Sequence, residues 1–167
     1  ESWMQIEITR EPDAAERNSI AEKIEAVLAD VRNAVSDWQP MRQRLREILA
    51  ELSANSPPLP PSEISEGLDF LRWLDDDNYT YLGFREYRFD GSADTTAPFG
   101  ILRDPQYPVF EGVRNFAALP PDVQDFLRRR ELLVIAKTNR RATVHRNVLM
   151  DAVGIRRQPE LIARAQH

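Results

Sequence analysis

Between Ile64 and Phe89 the spacing of apolar residues changes once, and the change divides the stretch into two elements. Ile64, Leu68, Leu71 and Leu74 recur at helical spacing, with Phe70 and Trp73 widening the apolar side. After Asp75-Asp76-Asp77-Asn78 the period becomes two. Tyr79, Tyr81, Gly83, Arg85, Tyr87 and Phe89 share one side, and Thr80, Leu82, Phe84, Glu86 and Arg88 the other. The pattern predicts a helix feeding a long aromatic strand, the core of an α+β domain.

Upstream, Trp3 to Thr9 alternates and reads as a short strand. Its sheet either lies upstream or is the sheet of the later domain. Pro12-Asp13 opens a helix, with Asp13 and Glu16 suited to its positive end. Ile20, Ile24, Val27, Leu28, Val31 and Val35 then keep a helical period. Ser36-Asp37 and Pro40 predict a break and restart, and Met41, Leu45, Ile48, Leu49 and Leu52 a second amphipathic helix. The two form a helical hairpin or one kinked rod, a packing or spacer element. A membrane-surface helix is disfavoured because the polar side is mixed and acidic rather than lysine-rich. Ser53 to Pro61, with four prolines in its last five positions, is an extended linker and the expected domain boundary.

Downstream, Asp90-Gly91-Ser92 reads as a turn, and Phe99–Arg103 as a second strand pairing with the first. Asp104 to Leu119 is irregular. Pro120-Pro121-Asp122 opens a short helix ending at Arg128-Arg129-Arg130, both ends matched to the helix dipole. Leu132–Ala136 is a continuous apolar run and reads as a buried strand. Lys137-Thr138-Asn139-Arg140-Arg141 follows as a polar turn, and Ala142 to Ile155 returns as a strand. Helix, strand, strand, helix, strand, strand with hairpin connections favours an antiparallel sheet with helices on one face, preceded by the two-helix hairpin.

Composition narrows the chemistry. Hydrophobic residues make up 42% of the 167 positions, enough for a packed core. Cysteine is absent, which excludes disulfides, thiolate metal sites and thiol catalysis. The histidines, His145 and His167, show no metal-ligand spacing. No apolar run approaches the roughly 20 residues that span a bilayer. Glu1-Ser2-Trp3 has neither an initiator Met nor a signal-peptide layout, so the expectation is a segment of a longer cytoplasmic chain. The net charge of −5 is uneven, with residues 131–167 basic and the rest acidic. The acidic body argues against nucleic acid. Lys137, Asn139, Arg140, Arg141, His145 and Arg146 form the candidate site, either an effector site for a small anion or a contact with acidic parts of this fold or a neighbour. No catalytic residue is assigned: His145 has no triad-like partner, Asp75 and Asp77 read as a helix end, and no glycine-rich dinucleotide turn exists.

FLRWLDDDNYTYLGFREYRF (70–89), FGILR (99–103) and LLVIAKTNRRATVHRNVLMDAVGIRR (132–157) resemble a segment of the N-terminal region of the large NAD-specific glutamate dehydrogenases of bacteria. The opening ESWMQIEITREPD and ADVRNAVSDW (29–38) resemble the stretch just before it. The resemblance implies regulatory ACT-like and PAS-like modules joined by helical motifs, with the dehydrogenase domain far downstream. Residues 1–10 would be the last strand of an upstream ACT-like domain, 11–53 a helical motif, 54–61 the linker, 62–157 an ACT-like or PAS-like domain, and 158–167 a tail. An ACT unit is βαββαβ, whereas two strands before the helical part is closer to a PAS-like order. After Arg157 the chain departs from the family, which continues into a further strand. That strand is cut off, replaced by a short helix, or supplied by another chain. The implied role is a non-catalytic regulatory or assembly module of an enzyme of amino-acid catabolism. That enzyme is a homo-oligomer using NAD, with other domains and subunits as this module's partners and no cofactor in the module itself. The alternative is an autonomous sensor of an amino acid or other metabolite. A cavity among Tyr79, Tyr81, Phe84 and Tyr87 would favour the sensor; rings that fill the face would favour assembly.

Overall fold

The computed structural model describes residues 3–87, 97–104, 116–129, 131–144 and 146–156. The turn expected at Asp90-Gly91-Ser92, His145 and the tail 158–167 lie outside them. The longest element is α1, Ala14–Ala54, a single helix of 41 residues. Asp13 caps its start by accepting from the backbone N–H of Ala15 at 2.8 Å. The break expected at Pro40 does not occur: Pro40 sits inside the helix. Ser36 and Pro40 are both exposed, so the carbonyl that loses its partner faces water. Met41, Leu45 and Ile48 continue the buried line of Ala34 and Asp37, and this packing holds the helix in register across the proline.

The two helices expected within 11–53 are thus one continuous rod, and the helical pair of the structure is made instead by α1 and the helix that follows residues 55–60. The prolines there end α1, and Pro61 starts α2, Pro61–Trp73, where its missing N–H costs nothing. α2 runs back along α1. Leu45, Ile48 and Leu52 pack with Leu68, Leu71, Leu74 and Leu132 in one core, with Leu59 and Ile64 against it. Gly67 makes the approach close: a Cβ there would lie 2.5 Å from the Leu132 side chain. The acidic break ends α2 as expected, in one π turn, Leu74–Asn78, in which Asp77 takes a left-handed backbone with φ 57°. Asn78 Nδ2 donates to the Trp73 carbonyl at 2.8 Å. Arg42 on α1 grips this turn through Asp75 (2.8 Å) and Asp77 (2.8 Å), and Arg46 adds a second ion pair to Asp75 at 2.9 Å.

The architecture is α+β, with two antiparallel pairs of strands among the described residues. β1, Gly83–Phe84, pairs with β2, Phe99–Gly100. Among the described residues the long strand expected from Tyr79 is paired only at Gly83 and Phe84, and Ile101–Arg103, expected as strand, is a 3-10 turn. Gly100 explains the turn: with φ 61° and ψ −140° it adopts a backbone closed to other residues, and a Cβ there would lie 2.0 Å from the Leu82 carbonyl oxygen. α3, Pro121–Arg128, opens at the prolines that announced it. β3, Leu133–Arg141, pairs with β4, Leu149–Ile155, with Leu133 opposite Ile155 and Lys137 opposite Asp151. Trp3 to Thr9 is not a strand here; no described backbone pairs with it, and Trp3 is 95% exposed.

Two buried acids fasten both hairpins to α1. Asp30 accepts from the Thr143 hydroxyl at 2.6 Å, at the β3–β4 tip. Asp37 accepts from the Gly100 N–H at 2.7 Å and from Arg103 at 2.5 and 2.7 Å. No described helix is long and apolar enough to cross a membrane.

Candidate functional site on the second hairpin

The residues singled out for chemistry, Lys137, Asn139, Arg140, Arg141, His145 and Arg146, fall on the β3–β4 hairpin; His145 is outside the described residues. Lys137 to Arg141 is strand rather than turn. The ladder is regular from Leu133 to Lys137 and shifts register before Arg141. The chain reverses between Ala142 and Val148, where the Ala142 N–H donates to the Val148 carbonyl at 2.8 Å. A polar run reads as a turn when strand faces are assumed buried. Here one stretch of the hairpin lies in water: Ile135 is 56% exposed, so the Leu132–Ala136 run is not the buried strand expected.

The structure divides the cations rather than gathering them. Lys137 Nζ pairs with Asp151 Oδ1 at 2.6 Å. Tyr79 donates to the other oxygen, Asp151 Oδ2, at 3.1 Å. The Lys137 ammonium holds the Asp151 carboxyl below its ordinary range, and Asp151 in turn pushes the Lys137 and Tyr79 pKa values up. At the other end, Arg141 Nη1 donates to the Asn147 carbonyl at 2.9 Å, clamping the turn. Thr138 Oγ1 donates to the Arg140 carbonyl at 3.0 Å, folding the strand at its irregularity. Asn139, Arg140 and Arg146 are exposed. Lys137 is therefore committed to a carboxylate across the ladder, while the arginines cluster nearer the tip.

Sequence reasoning missed Asp151 as the partner of Lys137 and of Tyr79. The pairing follows from register, and the register was hidden once the turn was placed five residues early. Tyr79 also meets the Trp73 ring edge-on at 5.5 Å, and Trp73 stacks on Phe70 at 5.8 Å. The other rings of the aromatic stretch are likewise engaged. Tyr81 donates to the Leu74 carbonyl at 2.7 Å, and burial, helped by Asp75, pushes its pKa up to about 12. Phe84 lies 6.3 Å from Phe99, and Arg85 lies over the Tyr87 ring at 5.2 Å. Each of these rings thus has a partner within the fold, and Tyr79 stays 41% exposed.

Over 165 residues the chain is 33% identical to the NAD-specific glutamate dehydrogenase of Halomonas elongata, a match covering 94% of this chain and 10% of that protein. The enzyme of the same name from Pseudomonas aeruginosa is also 33% identical over 165 residues, covering 93% of this chain and 10% of that protein. The chain matches a segment of the NAD-specific glutamate dehydrogenases. It spans about a tenth of the length of these relatives. No family model matches it, and no solved structure does.

The name of these dehydrogenases raises NAD, and the described residues do not fit it. A dinucleotide needs a glycine turn between a strand and a helix N-terminus. α1 starts at Asp13, α2 follows Pro60 and α3 opens at Pro121; none starts from such a turn. Gly67 is inside α2 against Leu132, Gly83 and Gly100 approach Leu102 and Leu82, and Gly154 faces Val134. Among the described residues no group of three or more His, Asp or Glu is placed to hold a metal ion.

Proposed function

We propose that this chain is a non-catalytic regulatory and assembly module in the N-terminal region of an NAD-dependent, homo-oligomeric, cytoplasmic glutamate dehydrogenase. The parent converts L-glutamate, NAD and water to 2-oxoglutarate, ammonium and NADH. The observation that carries the reading is a match along 94% of this chain to 10% of a relative bearing that name. The absence of a dinucleotide turn among the described helices supports a role other than hydride transfer. The engaged rings of Tyr79, Tyr81, Phe84 and Tyr87 favour assembly over a metabolite cavity. In this reading the exposed Arg140 and Arg146 with Lys137, Asn139 and Arg141 meet other domains or subunits, and neither nucleic acid nor membrane is a partner.

The test has two arms. The purified chain, assayed with glutamate and NAD by NADH absorbance, produces none; turnover would end the non-catalytic reading. A thermal-shift series with amino acids, 2-oxo acids and nucleotides at millimolar concentration leaves the melting temperature in place. A saturable rise would replace assembly with sensing.

A further inference from the structure

The first part of α1 contributes no fully buried residue: these begin at Asp30 and continue through Ala34, Asp37, Met41, Leu45, Ile48 and Leu52, while between Ala14 and Ala29 Ser19, Ile20, Ile24 and Leu28 are half-buried and the others exposed. Yet α1 carries a second apolar line. Ala21, Ile24, Leu28, Val31, Val35 and Trp38 alternate spacings of three and four, the repeat of a coiled-coil seam. This line lies roughly 110° around the axis from the body-facing one, by the 3.6-residue turn. Val35 on it is 70% exposed and Trp38 40% exposed, Ala21 is exposed and Val27 at its edge is 38% exposed, while Ile24, Leu28 and Val31 are half-buried. An apolar seam with this much surface left in water is a binding surface.

We infer that its occupant is a second copy of this chain, bound as a two-fold antiparallel pair of α1 helices. The argument is self-complementarity. With the axis between positions 29 and 30, Leu28 meets Val31, Ile24 meets Val35, and the small Ala21 meets the large Trp38, each contact occurring twice by symmetry. Glu25 and Arg32 sit seven residues apart on the same flank of the seam. Running the helices in opposite directions places Glu25 of one copy within a turn of Arg32 of the other, again twice. Beyond Trp38 the same face opens into a groove of about 400 Å³ lined by Trp38, Gln39, Pro40, Arg42, Gln43 and Arg46. The pairing lays the acidic first turn of the other copy, with Asp13 and Glu16, along this groove beside Arg42 and Arg46, both of which also pair with Asp75. A parallel pair would instead set two acidic helix starts side by side. The inference rests on the surface of α1 alone, so a failed dehydrogenase reading would leave it standing.

Sedimentation velocity on the whole chain decides it. The chain is a dimer at micromolar concentration. Leu28→Glu with Val35→Glu makes it monomeric while the helical circular dichroism persists, since neither side chain is in the core. Glu25→Arg weakens the dimer about tenfold, and adding Arg32→Glu restores it to within about threefold. The charge swap decides the matter if the double-glutamate variant does not fold. A chain that stays monomeric near 1 mM would overturn the proposal, leaving the seam to another segment of a longer polypeptide. A dimer indifferent to the two glutamates, or a charge swap without rescue, would overturn it as well.

Discussion

Replacing Asp37 with Ala removes a carboxylate that serves three donors at once. Asp37 is 5% exposed. It accepts from Gly100 N at 2.7 Å and from Arg103 Nε and Nη2 at 2.5 and 2.7 Å. Loss of the acceptor leaves a buried backbone N–H unmade, at a cost of about 1–3 kcal/mol. Loss of the fork adds only about 1 kcal/mol, because a half-exposed guanidinium rehydrates; the Arg103 side chain is 49% exposed. Asp37→Ala should therefore lower stability by about 2–4 kcal/mol, a large share of a typical domain's 5–15 kcal/mol. Asp37→Asn keeps an oxygen for Gly100 and should cost only about 1 kcal/mol. Urea unfolding followed by circular dichroism and tryptophan fluorescence measures both.

The same pair fixes a pH signature. The hydrogen bond from Arg103 pulls the Asp37 carboxyl below its ordinary value of 3.8, outweighing burial, which acts the other way. The group is more acidic folded than unfolded, so its charge-dependent stabilisation is complete above pH 3.8 and is lost as pH falls below it. The gap between wild type and Asp37→Asn should be constant above that pH and narrow beneath it. Asp37→Ala costing less than about 1 kcal/mol, or a gap unchanged in acid, would refute the role given to this carboxylate.

Gly100→Ala forces a side chain into a backbone with φ 61° and onto the Leu82 carbonyl, so it should cost at least about 2 kcal/mol in a urea melt. Pro40→Ala should stabilise the chain by about 1–3 kcal/mol and raise its calorimetric melting temperature, since it restores a hydrogen bond within a helix that is already continuous. Tyr81 should ionise near pH 12 in an ultraviolet titration. Because its folded pKa is raised from 10.0 to about 12, the stability it contributes should decline as pH rises through that interval.

The legible parts of this fold are those where local pattern and local punctuation agree. α2 has both a 3.6-residue period and an acidic stop, and Asp75 to Asn78 forms the stop. The prolines at 57, 58, 60 and 61 separate α1 from α2, and those at 120–121 open α3. Pro40 misleads because its local effect is weaker than the packing on both sides: one buried line from Asp30 to Leu52 outweighs one missing hydrogen bond. Lys137 to Arg141 misleads for the opposite reason. A strand with water on one side has no need of apolar residues there, so its sequence resembles a turn. The Lys137–Asp151–Tyr79 cluster joins three elements, and no spacing within one of them encodes it.

The two buried acids of α1 are seven residues apart, two helical turns on one side of the rod, roughly 10 Å along its axis. Asp30 holds the tip of β3–β4, and Asp37 holds the turn after β2. Neither carboxylate is there for affinity in itself, since an apolar pair of similar size would pack at least as well. What each supplies is direction: a hydroxyl or a guanidinium fork fits a carboxylate in few orientations, so the hairpins are set in register along the helix as well as against it. The seam that pairs α1 with its copy lies on a different side of the same rod, so self-pairing leaves both anchors and both hairpins in place. On the proposed reading one helix joins two copies while fixing the attitude of the two hairpins, and this division of labour would account for the length of α1 beyond the core it packs against.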